Sequence, residues 1–384
     1  MPRKIKQKKI RRTRRGQKGG QQAEPSGSAV VTTLAGSGKP VFADGTGTGA
    51  SFIQPAGVAV DAAGNVYVAE GGNSHRIRKI TPGGVVTTLA GNGLMQYGRG
   101  LLQDGTGTGA SFAMPSSMAI DSSGNMFVAD SMNNCIRKVT SQGVVTTLAG
   151  ITRGFADGTG SNAQFHYPTG VALDATGNII VADYGNHRIR KVTPEGVVTT
   201  LAGDGWYVWS HANGRWLDGT GTSASFNCPS KVAIDSSGNM FVADARNHRI
   251  RKITPGGIVT TLAGSGVGGF SDGTGESASF NQPQGVAVDS SGNVFVADLY
   301  NDRLRRITPA GAVTTLAGSG ATALAGQVTL GQTRGRQIFI NDATYGFGLW
   351  ENATGTTAES ISTGILRAGD YATTTNESLW LRRL

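Results

Sequence analysis

Short apolar runs alternate along the chain with clusters of glycine, asparagine, aspartate and proline. In one stretch, Val58-Ala59-Val60 is followed by a polar run at 61–65 and then by Val66-Tyr67-Val68-Ala69. Polar and apolar residues alternate over 76–80, and a second apolar run spans 85–89. A period of two is typical of half-buried strands, and Gly-Asn and Pro-Gly pairs are turn signals. The pattern predicts four antiparallel strands in succession.

This four-strand unit is repeated. Val-Thr-Thr-Leu-Ala-Gly occurs six times, at 31–36, 86–91, 145–150, 198–203, 259–264 and 313–318. The aspartate after the first strand recurs at intervals of 53 to 61 residues, as Asp61, Asp121, Asp174, Asp235 and Asp289. A fixed period of this size indicates one supersecondary unit that is copied and stacked. Four short strands in about 55 residues are typical of one blade of a β-propeller.

Several motifs within the repeat resemble those of the NHL-repeat family. Val-Ala-Asp at 181–183 precedes Tyr-Gly-Asn-His-Arg-Ile-Arg-Lys at 184–191, and a second copy spans 242–252. Three copies depart from this pattern, at Asn73-Ser74-His75, Asn134-Cys135 and Asn301-Asp302. The resemblance covers residues 30–320 and implies an all-β fold, a propeller of four-stranded NHL-type blades. It implies little about activity, since one fold hosts unrelated functions.

The number of blades follows from how the ring closes. Five repeats supply all four strands, whereas the copy at 31–36 stands alone. Because open edge strands invite aggregation, we expect a closed ring. We predict a six-bladed propeller over 29–320, in which a divergent segment, 321–384, completes the sixth blade with strand 30–36. Strand-like runs at 327–330, 337–340 and 347–350 support this prediction, and a five-bladed ring with a separate C-terminal module is the alternative.

The net charge of +10 comes entirely from the N-terminal residues. The first 18 residues hold ten basic side chains and no acid, and the remainder holds 25 of each sign. Residues 1–28 therefore predict a disordered basic tail and linker that binds a polyanion, either nucleic acid or an anionic surface, in a salt-sensitive way. Its role as an address, a tether or a cleaved leader is open. The tail's basic residues are Arg3, Lys4, Lys6, Lys8, Lys9, Arg11, Arg12, Arg14, Arg15 and Lys18.

Composition narrows the class of protein further. Cys135 and Cys228 lie in different repeats without a pairing pattern, which argues against a disulfide scaffold or a zinc module. The chain has no apolar secretory signal and no stretch of membrane-spanning length. We therefore expect a soluble, intracellular monomer, with nuclear or virion association as the further alternatives. A basic leader followed by Gly-Gly resembles those on proteins of large DNA viruses.

Variable sequence is concentrated in the connections between repeats, which share one face with the loops between second and third strands. These connections have 7, 12, 6, 14 and 7 residues, at 37–43, 92–103, 151–156, 204–217 and 265–271. The two long ones are rich in tryptophan, tyrosine and arginine, the residues that dominate binding hot spots. Packing on their own blade is the alternative role for these aromatics. The predicted partner-binding residues are Tyr97, Arg99, Trp206, Tyr207, Trp209, His211, Arg215 and Trp216.

Other candidate chemistry has simpler structural explanations. His75, His187 and His248 recur at one position, but each precedes a third strand about 10 Å from the innermost strand, so they do not converge on a metal. The Asp-Gly-Thr-Gly runs lack the lysine of a phosphate-binding loop. Asp61 and its equivalents fit turns, and the basic third strands fit a solvated, locally paired ladder. We predict no cofactor, no metal site and no catalytic residue.

The sequence favours a non-catalytic binding or scaffold propeller that presents its long-loop face to a protein or other macromolecule. Two alternatives remain at this stage. One is a propeller enzyme, a hydrolase or lyase acting at the channel mouth, and the other is an RNA-binding NHL protein that uses its tail and propeller together.

Overall fold

In the computed structural model, the described residues are 33–94, 102–206 and 216–318, together with five short C-terminal strands. The predicted tail, 1–28, and the predicted contact residues Tyr97, Arg99, Tyr207, Trp209, His211 and Arg215 lie outside them.

The described residues between Gly45 and Ala317 form five similar antiparallel sheets, which we call blades 1 to 5 in chain order. The four main strands fall where the apolar pattern predicts them. The first strands are Pro55–Val60, Pro115–Ile120, Pro168–Leu173, Pro229–Ile234 and Pro283–Val288. The second strands are Val66–Glu70, Met126–Asp130, Ile179–Asp183, Met240–Asp244 and Val294–Asp298. The third strands are Arg76–Ile80, Cys135–Val139, Arg188–Val192, Arg249–Ile253 and Arg303–Ile307. The fourth strands are Val85–Ala90, Val144–Ala149, Val197–Ala202, Ile258–Ala263 and Ala312–Ala317.

Each sheet has a fifth strand that the pattern did not predict. A two-residue Gly-Thr strand pairs with the outer side of the fourth strand, as Gly45 does with Val86. These strands are Gly45–Thr46, Gly105–Thr106, Gly158–Thr159, Gly219–Thr220 and Gly273–Thr274. A 3₁₀ turn follows each, at Gly47–Gly49, Gly107–Gly109, Gly160–Asn162, Gly221–Ser223 and Gly275–Ser277. The Asp-Gly-Thr-Gly runs thus shield an otherwise open blade edge.

The remaining elements are short. Three 3₁₀ turns separate second and third strands, at Tyr184–Asn186, Ala245–Asn247 and Leu299–Asn301, and Thr152–Arg153 pairs in parallel with Gln164–Phe165. At the C-terminus, Gln337–Asp342, Gly346–Asn352 and Leu381–Arg383 form a three-stranded sheet, and Ala372–Thr374 pairs with Glu377–Leu379. The strand-like runs predicted at 337–340 and 347–350 are therefore strands. The run at 327–330 lies outside the described residues.

The hydrophobic core lies in the seams between blades. In the first seam, Phe112 of blade 2 packs with Ala69, Ile77 and Ala90 of blade 1. Phe165, Phe226 and Phe280 are buried in the corresponding clusters of the next three seams. The phenylalanine that follows the Asp-Gly-Thr-Gly run in each of blades 2 to 5 is thus an anchor between blades. Burying a side chain of this size contributes on the order of 2–3 kcal/mol.

The turns opposite the long-loop face also form as predicted. Asp61 Oδ1 accepts hydrogen bonds from the backbone N–H of Ala63 and Asn65, and Oδ2 accepts one from the Asn65 side chain. The hydrogen bonds from Asn65 lower the pKa of Asp61. The same contacts recur at Asp121, Asp174, Asp235 and Asp289. These aspartates are turn residues, not an acidic binding ring.

The first strands of successive blades contact one another from blade 1 to blade 5, which places them around a central channel. Among the described residues, the first strands of blades 5 and 1 make no comparable contact. Six blades, as against five, stay a prediction. In this part of the chain, no helix has the length and apolar character that crossing a bilayer requires.

Candidate functional site: the long-loop face

The long-loop face is built on a buried ion-pair frame that recurs in every blade. In blade 3, Arg190 is fully buried, and its guanidinium lies 2.9 Å from Asp183 Oδ2 and 2.6 Å from Asp157 Oδ1. It also donates to the backbone oxygens of Gln164 and Ala156. A buried charge is tolerated only when it is paired and hydrogen-bonded in this way. The equivalent arginines are Arg78, Arg137, Arg251 and Arg305.

This frame corrects the expectation of a solvated basic ladder on the third strands. The central arginine of each third strand is paired, as expected, but it is buried instead of solvated. Its two carboxylate partners lie on the second strand and in the Asp-Gly-Thr-Gly run, so it holds the connection that enters the blade. These five arginines therefore do not form a basic surface.

The Asn-His pair of the repeat ties each blade to the next. Asn186 Nδ2 donates to Asp183 Oδ2 at 2.8 Å, and His187 Nδ1 accepts the backbone N–H of Cys228 in blade 4 at 3.0 Å. His187 adopts a left-handed backbone conformation, with φ of 56°, that turns the chain into the third strand. His75 and His248 bind the backbone N–H of Met114 and Gln282 in the same way. The histidines are inter-blade latches, and each serves a different seam.

The described residues contain no group of three or more His, Cys, Asp or Glu side chains that could hold a metal ion.

The first residue of the third strand forms a clasp over the connection to the next blade. The Arg188 Cζ lies 3.8 Å from the centroid of the Phe155 ring, and its Nη2 donates to the backbone oxygen of Asp204. Such cation–π contacts contribute about 0.5–2 kcal/mol. Equivalent stacked pairs are Arg76 with Phe42, Arg249 with Trp216, and Arg303 with Phe270.

Blade 2 lacks this clasp because both of its members are replaced. Cys135 stands where the other blades have arginine, and Leu102 stands where they have an aromatic residue. Cys135 is fully buried. The paired replacement within one chain indicates that the aromatic residue is retained for the arginine it covers.

Two predicted contact residues are among the described ones. Trp216 belongs to the clasp, and Trp206 lies at the surface. Trp216 is the clasp residue of blade 4, so one face of its ring covers Arg249 while 38% of the residue stays exposed. Trp206 is 56% exposed, and its backbone N–H donates to Asp204. The two described tryptophans of this long connection, Trp206 and Trp216, therefore lie in different surroundings.

The long-loop face also carries exposed large apolar side chains at each of its five connections, at least two among the described residues of each. They vary in type and position from blade to blade, whereas the opposite face repeats an exposed valine or isoleucine at the start of four fourth strands. The most exposed one in each connection is, in chain order, Val41, Leu94, Ile151, Trp206 and Val267. The repeated residues on the opposite face are Val85, Val144, Val197 and Ile258.

A second variable zone, which the sequence reasoning missed, surrounds the channel mouth. The loops between second and third strands join it, because Gly185 N–H donates to His166 O and Arg246 N–H donates to Asn227 O. Histidine- and tryptophan-bearing segments thus lie on one face, as expected. Comparison of equivalent positions could have found this zone: where blade 4 has Lys231, the other blades have Gly57, Ser117, Gly170 and Gly285.

Lys231 crosses the channel from blade 4 to two other blades. Its Nζ donates to the backbone oxygens of Ser116 at 2.5 Å and Thr169 at 2.8 Å. Elsewhere around the mouth, a hydroxyl donates to the next blade's carbonyl: Ser116 to Thr169, and Thr169 to Ser230. Blade 1 has Ala56 at this position, so Lys231 supplies the donor that a hydroxyl would have given to Ser116. Burial lowers the pKa of Lys231 to about 7.

Residues of reactive types lie at the seam between blades 3 and 4, namely Tyr184, His187 and Cys228. Tyr184 lies close to Cys228 and Arg246. Burial raises the pKa of both the Tyr184 hydroxyl and the Cys228 thiol, so both stay protonated at neutral pH. Burial, together with the charges of Arg246 and His166, lowers the pKa of His187 to about 4. A protonated thiol and a histidine already bound to a backbone amide are suited to holding the loops together, not to nucleophilic attack.

Radial antiparallel sheets of four main strands and a short fifth one lie around a channel, each anchored to the next by phenylalanine and by a latch. This arrangement defines the protein as a β-propeller. The NHL repeat family model matches residues 52–80, 165–192, 226–253 and 280–307. Each match runs from the anchoring phenylalanine to the end of the third strand. The chain belongs to the NHL-repeat β-propeller family.

Similar proteins include longer ones. Protein SUPPRESSOR OF QUENCHING 1, chloroplastic, from Arabidopsis thaliana is 30% identical over 297 residues, which cover 72% of this chain and 27% of that protein. NHL repeat-containing protein 2 from Bos taurus is 37% identical over 158 residues, or 37% of this chain and 21% of that protein. The chain therefore spans about a quarter of the length of these relatives.

Among solved structures, the virginiamycin B lyase of Staphylococcus aureus is similar over 86% of this chain and 92% of that chain. The sequence identity is 16% and the TM-score is 0.46.

Proposed function

We propose that this propeller is a non-catalytic binding module that captures a macromolecular partner on its long-loop face. The observation that carries the proposal is the set of exposed apolar side chains at the five connections, which vary in type and position from blade to blade. Exposed apolar groups that share one face are typical of interaction sites. The repeated frame beneath them fixes the connections, so the variable residues are held by a rigid scaffold.

Tryptophan at 206 is the strongest candidate anchor among the described residues. Large aromatic side chains contribute most to binding free energy at protein interfaces. Leu94 and Val267, which are 60% and 72% exposed, lie on two other connections. We include Tyr97, Arg99, Tyr207, Trp209, His211, Arg215 and Trp216 in the proposed contact surface, on the sequence argument alone.

The test compares two variants of the full chain, each of which replaces three exposed apolar residues, on opposite faces. The first carries Leu94→Ser, Trp206→Ser and Val267→Ser, and the control carries Val85→Ser, Val144→Ser and Ile258→Ser. We expect the first to lose the partner that the wild type retains in a pull-down, and the control to keep it. Equal retention by both variants would contradict the proposal. A variant without 204–217 then tests whether the longest connection is required.

The basic tail is proposed as an additional electrostatic attachment. Ten cationic side chains in 18 residues attract a polyanion with an affinity that falls steeply as salt rises. Removing residues 1–28 should abolish salt-sensitive nucleic-acid binding, because the central arginines of the five third strands are buried in ion pairs. Binding that survives this deletion would instead favour RNA binding by the propeller.

A further inference from the structure

The four seams among the five blades share one design, and the two outer flanks lack it. In each seam, a latch residue on one blade accepts a backbone N–H from the next. The acceptors are His75, Asn134, His187 and His248. Asp302 takes the same position on blade 5, with the same left-handed backbone at φ of 51°. No hydrogen bond to its carboxylate is found among the described residues, so this latch faces no blade there.

The apolar residues of the two flanks show the same incompleteness. Leu304 of blade 5 is 49% exposed, whereas the equivalent isoleucines of blades 1 to 4 are fully buried. Val58 of blade 1 is 67% exposed, whereas the equivalent Met118, Val171 and Val232 are only 5–6% exposed. In the complete seams, these two positions belong to one buried apolar cluster that spans the blade boundary. Both flanks therefore present apolar surface suited to another blade.

One edge of that missing blade is already in place. Gly36 N–H donates to Gly47 O at 3.0 Å, as Gly91 N–H donates to Gly107 O at 3.1 Å in the next seam. Ala35 packs with Phe52 beside blade 1, as Ala90 packs with Phe112. Residues 33–36 thus occupy the end of a fourth strand that belongs to a blade before blade 1. Three inner strands are still needed.

We propose that the C-terminal sheet of this same chain is the occupant that closes the gap between blades 5 and 1. Its strands Gln337–Asp342, Gly346–Asn352 and Leu381–Arg383 are three in number, antiparallel, and paired in chain order. The first three strands of each blade pair in the same order, whereas in the C-terminal sheet the hairpin Ala372–Thr374 with Glu377–Leu379 lies between the second and third strands. The last strand then pairs with residues 33–36, which closes the ring within one blade.

Thiol labelling of the full chain tests the closure without destabilising the fold. Val58→Cys and Leu304→Cys are compared with Val267→Cys, a control on the long-loop face. The native Cys135 and Cys228 are buried and serve as a low background. We expect the two flank cysteines to react at least 100-fold more slowly than the control. Reaction at the control rate would overturn the proposal.

A second measurement identifies the occupant. Phe339→Pro places a proline in the first strand of the C-terminal sheet, which disfavours that strand, and should speed labelling at both flank positions by at least tenfold. Unchanged labelling would show that this sheet is not the cover. Protection that weakens on dilution, with a dimer in sedimentation, would assign the gap to a second copy and also overturn the proposal. Partner capture on the long-loop face is a separate readout, so the two proposals can fail independently.

Discussion

The frame beneath the long-loop face and the surface of that face follow opposite rules. The frame repeats the same buried arginine with two carboxylates in all five blades. The surface carries Val41, Leu94, Ile151, Trp206 and Val267 on its five connections, at positions that differ between blades. The contrast teaches that the scaffold tolerates sequence change at exposed positions, because a buried charge must stay paired whereas an exposed apolar side chain carries no such constraint.

Breaking the frame should have the largest effect. Arg190→Met leaves the buried Asp183 without its guanidinium partner, and we expect a loss of about 3–5 kcal/mol in the free energy of unfolding. The control is Lys191→Met on the same strand, which should cost less than ~0.5 kcal/mol. Urea denaturation followed by circular dichroism measures both. Similar costs for the two variants would show that the frame is not what holds the blade.

The His187 latch should make the free energy of unfolding depend on pH in the acid range. His187 has a pKa of about 4 when folded and an ordinary pKa of about 6.5 when unfolded. The folded chain therefore binds fewer protons between these values, so this contribution is complete above pH 6.5 and is lost as the pH falls toward 4. His187→Asn copies the latch of blade 2.

We compare the free energy of unfolding of His187→Asn with that of the wild type. We expect the variant to gain ~2 kcal/mol relative to the wild type when the pH is lowered from 7 to 4. Denaturation curves at both pH values give this difference. A pH-independent difference would mean that His187 is not the titrating group.

The hydrogen bonds of Lys231 across the channel should become more stabilising as the pH rises above 7. Its pKa is about 7 when folded and about 10.5 when unfolded, so the folded chain binds fewer protons between these values. Wild-type stability should therefore rise with pH across this window, relative to Lys231→Met. We expect the variant to lose about 1–2 kcal/mol at pH 9, since Ser116 O loses a donor, and less at pH 7. Thermal unfolding at both pH values checks this, and a larger deficit at pH 7 would contradict it.

The clasp tests whether frame and surface are coupled. Phe155→Leu and Arg188→Cys, alone and together, convert the clasp of blade 3 into the pair found in blade 2. We expect a coupling of about 1 kcal/mol in the double-mutant cycle, because each member stabilises the other. Additive effects would show that the aromatic residue is independent of the arginine.

Changing the surface alone should have the smallest effect on stability. Trp206→Ala removes an exposed ring, and we expect a change below ~0.5 kcal/mol in the free energy of unfolding. The matched substitution Trp216→Ala should cost more, since that ring covers Arg249. Equal costs, measured by urea denaturation, would mean that Trp206 is packed as firmly as the clasp residue.

The blade and the family could be predicted from the sequence because they depend on local patterns. Strand alternation, the turn at Asp61 and the Asn-His signature each lie within a few residues, and repetition reinforced every one. The Gly-Thr strand was missed because two residues carry no periodicity. The solvated ladder was wrong because a charged residue in an alternating strand reads as exposed until its carboxylate partners are located.

What the chain by itself determined was the repeat, the strand order and the turn chemistry, since short-range hydrogen bonds and side-chain alternation decide them. The tertiary structure alone decided which charges are buried, that Trp216 serves Arg249, and that Lys231 reaches across the channel to Ser116, 115 residues away. Such contacts join residues that only the stacking of blades brings together, and burial then gives each contact its strength.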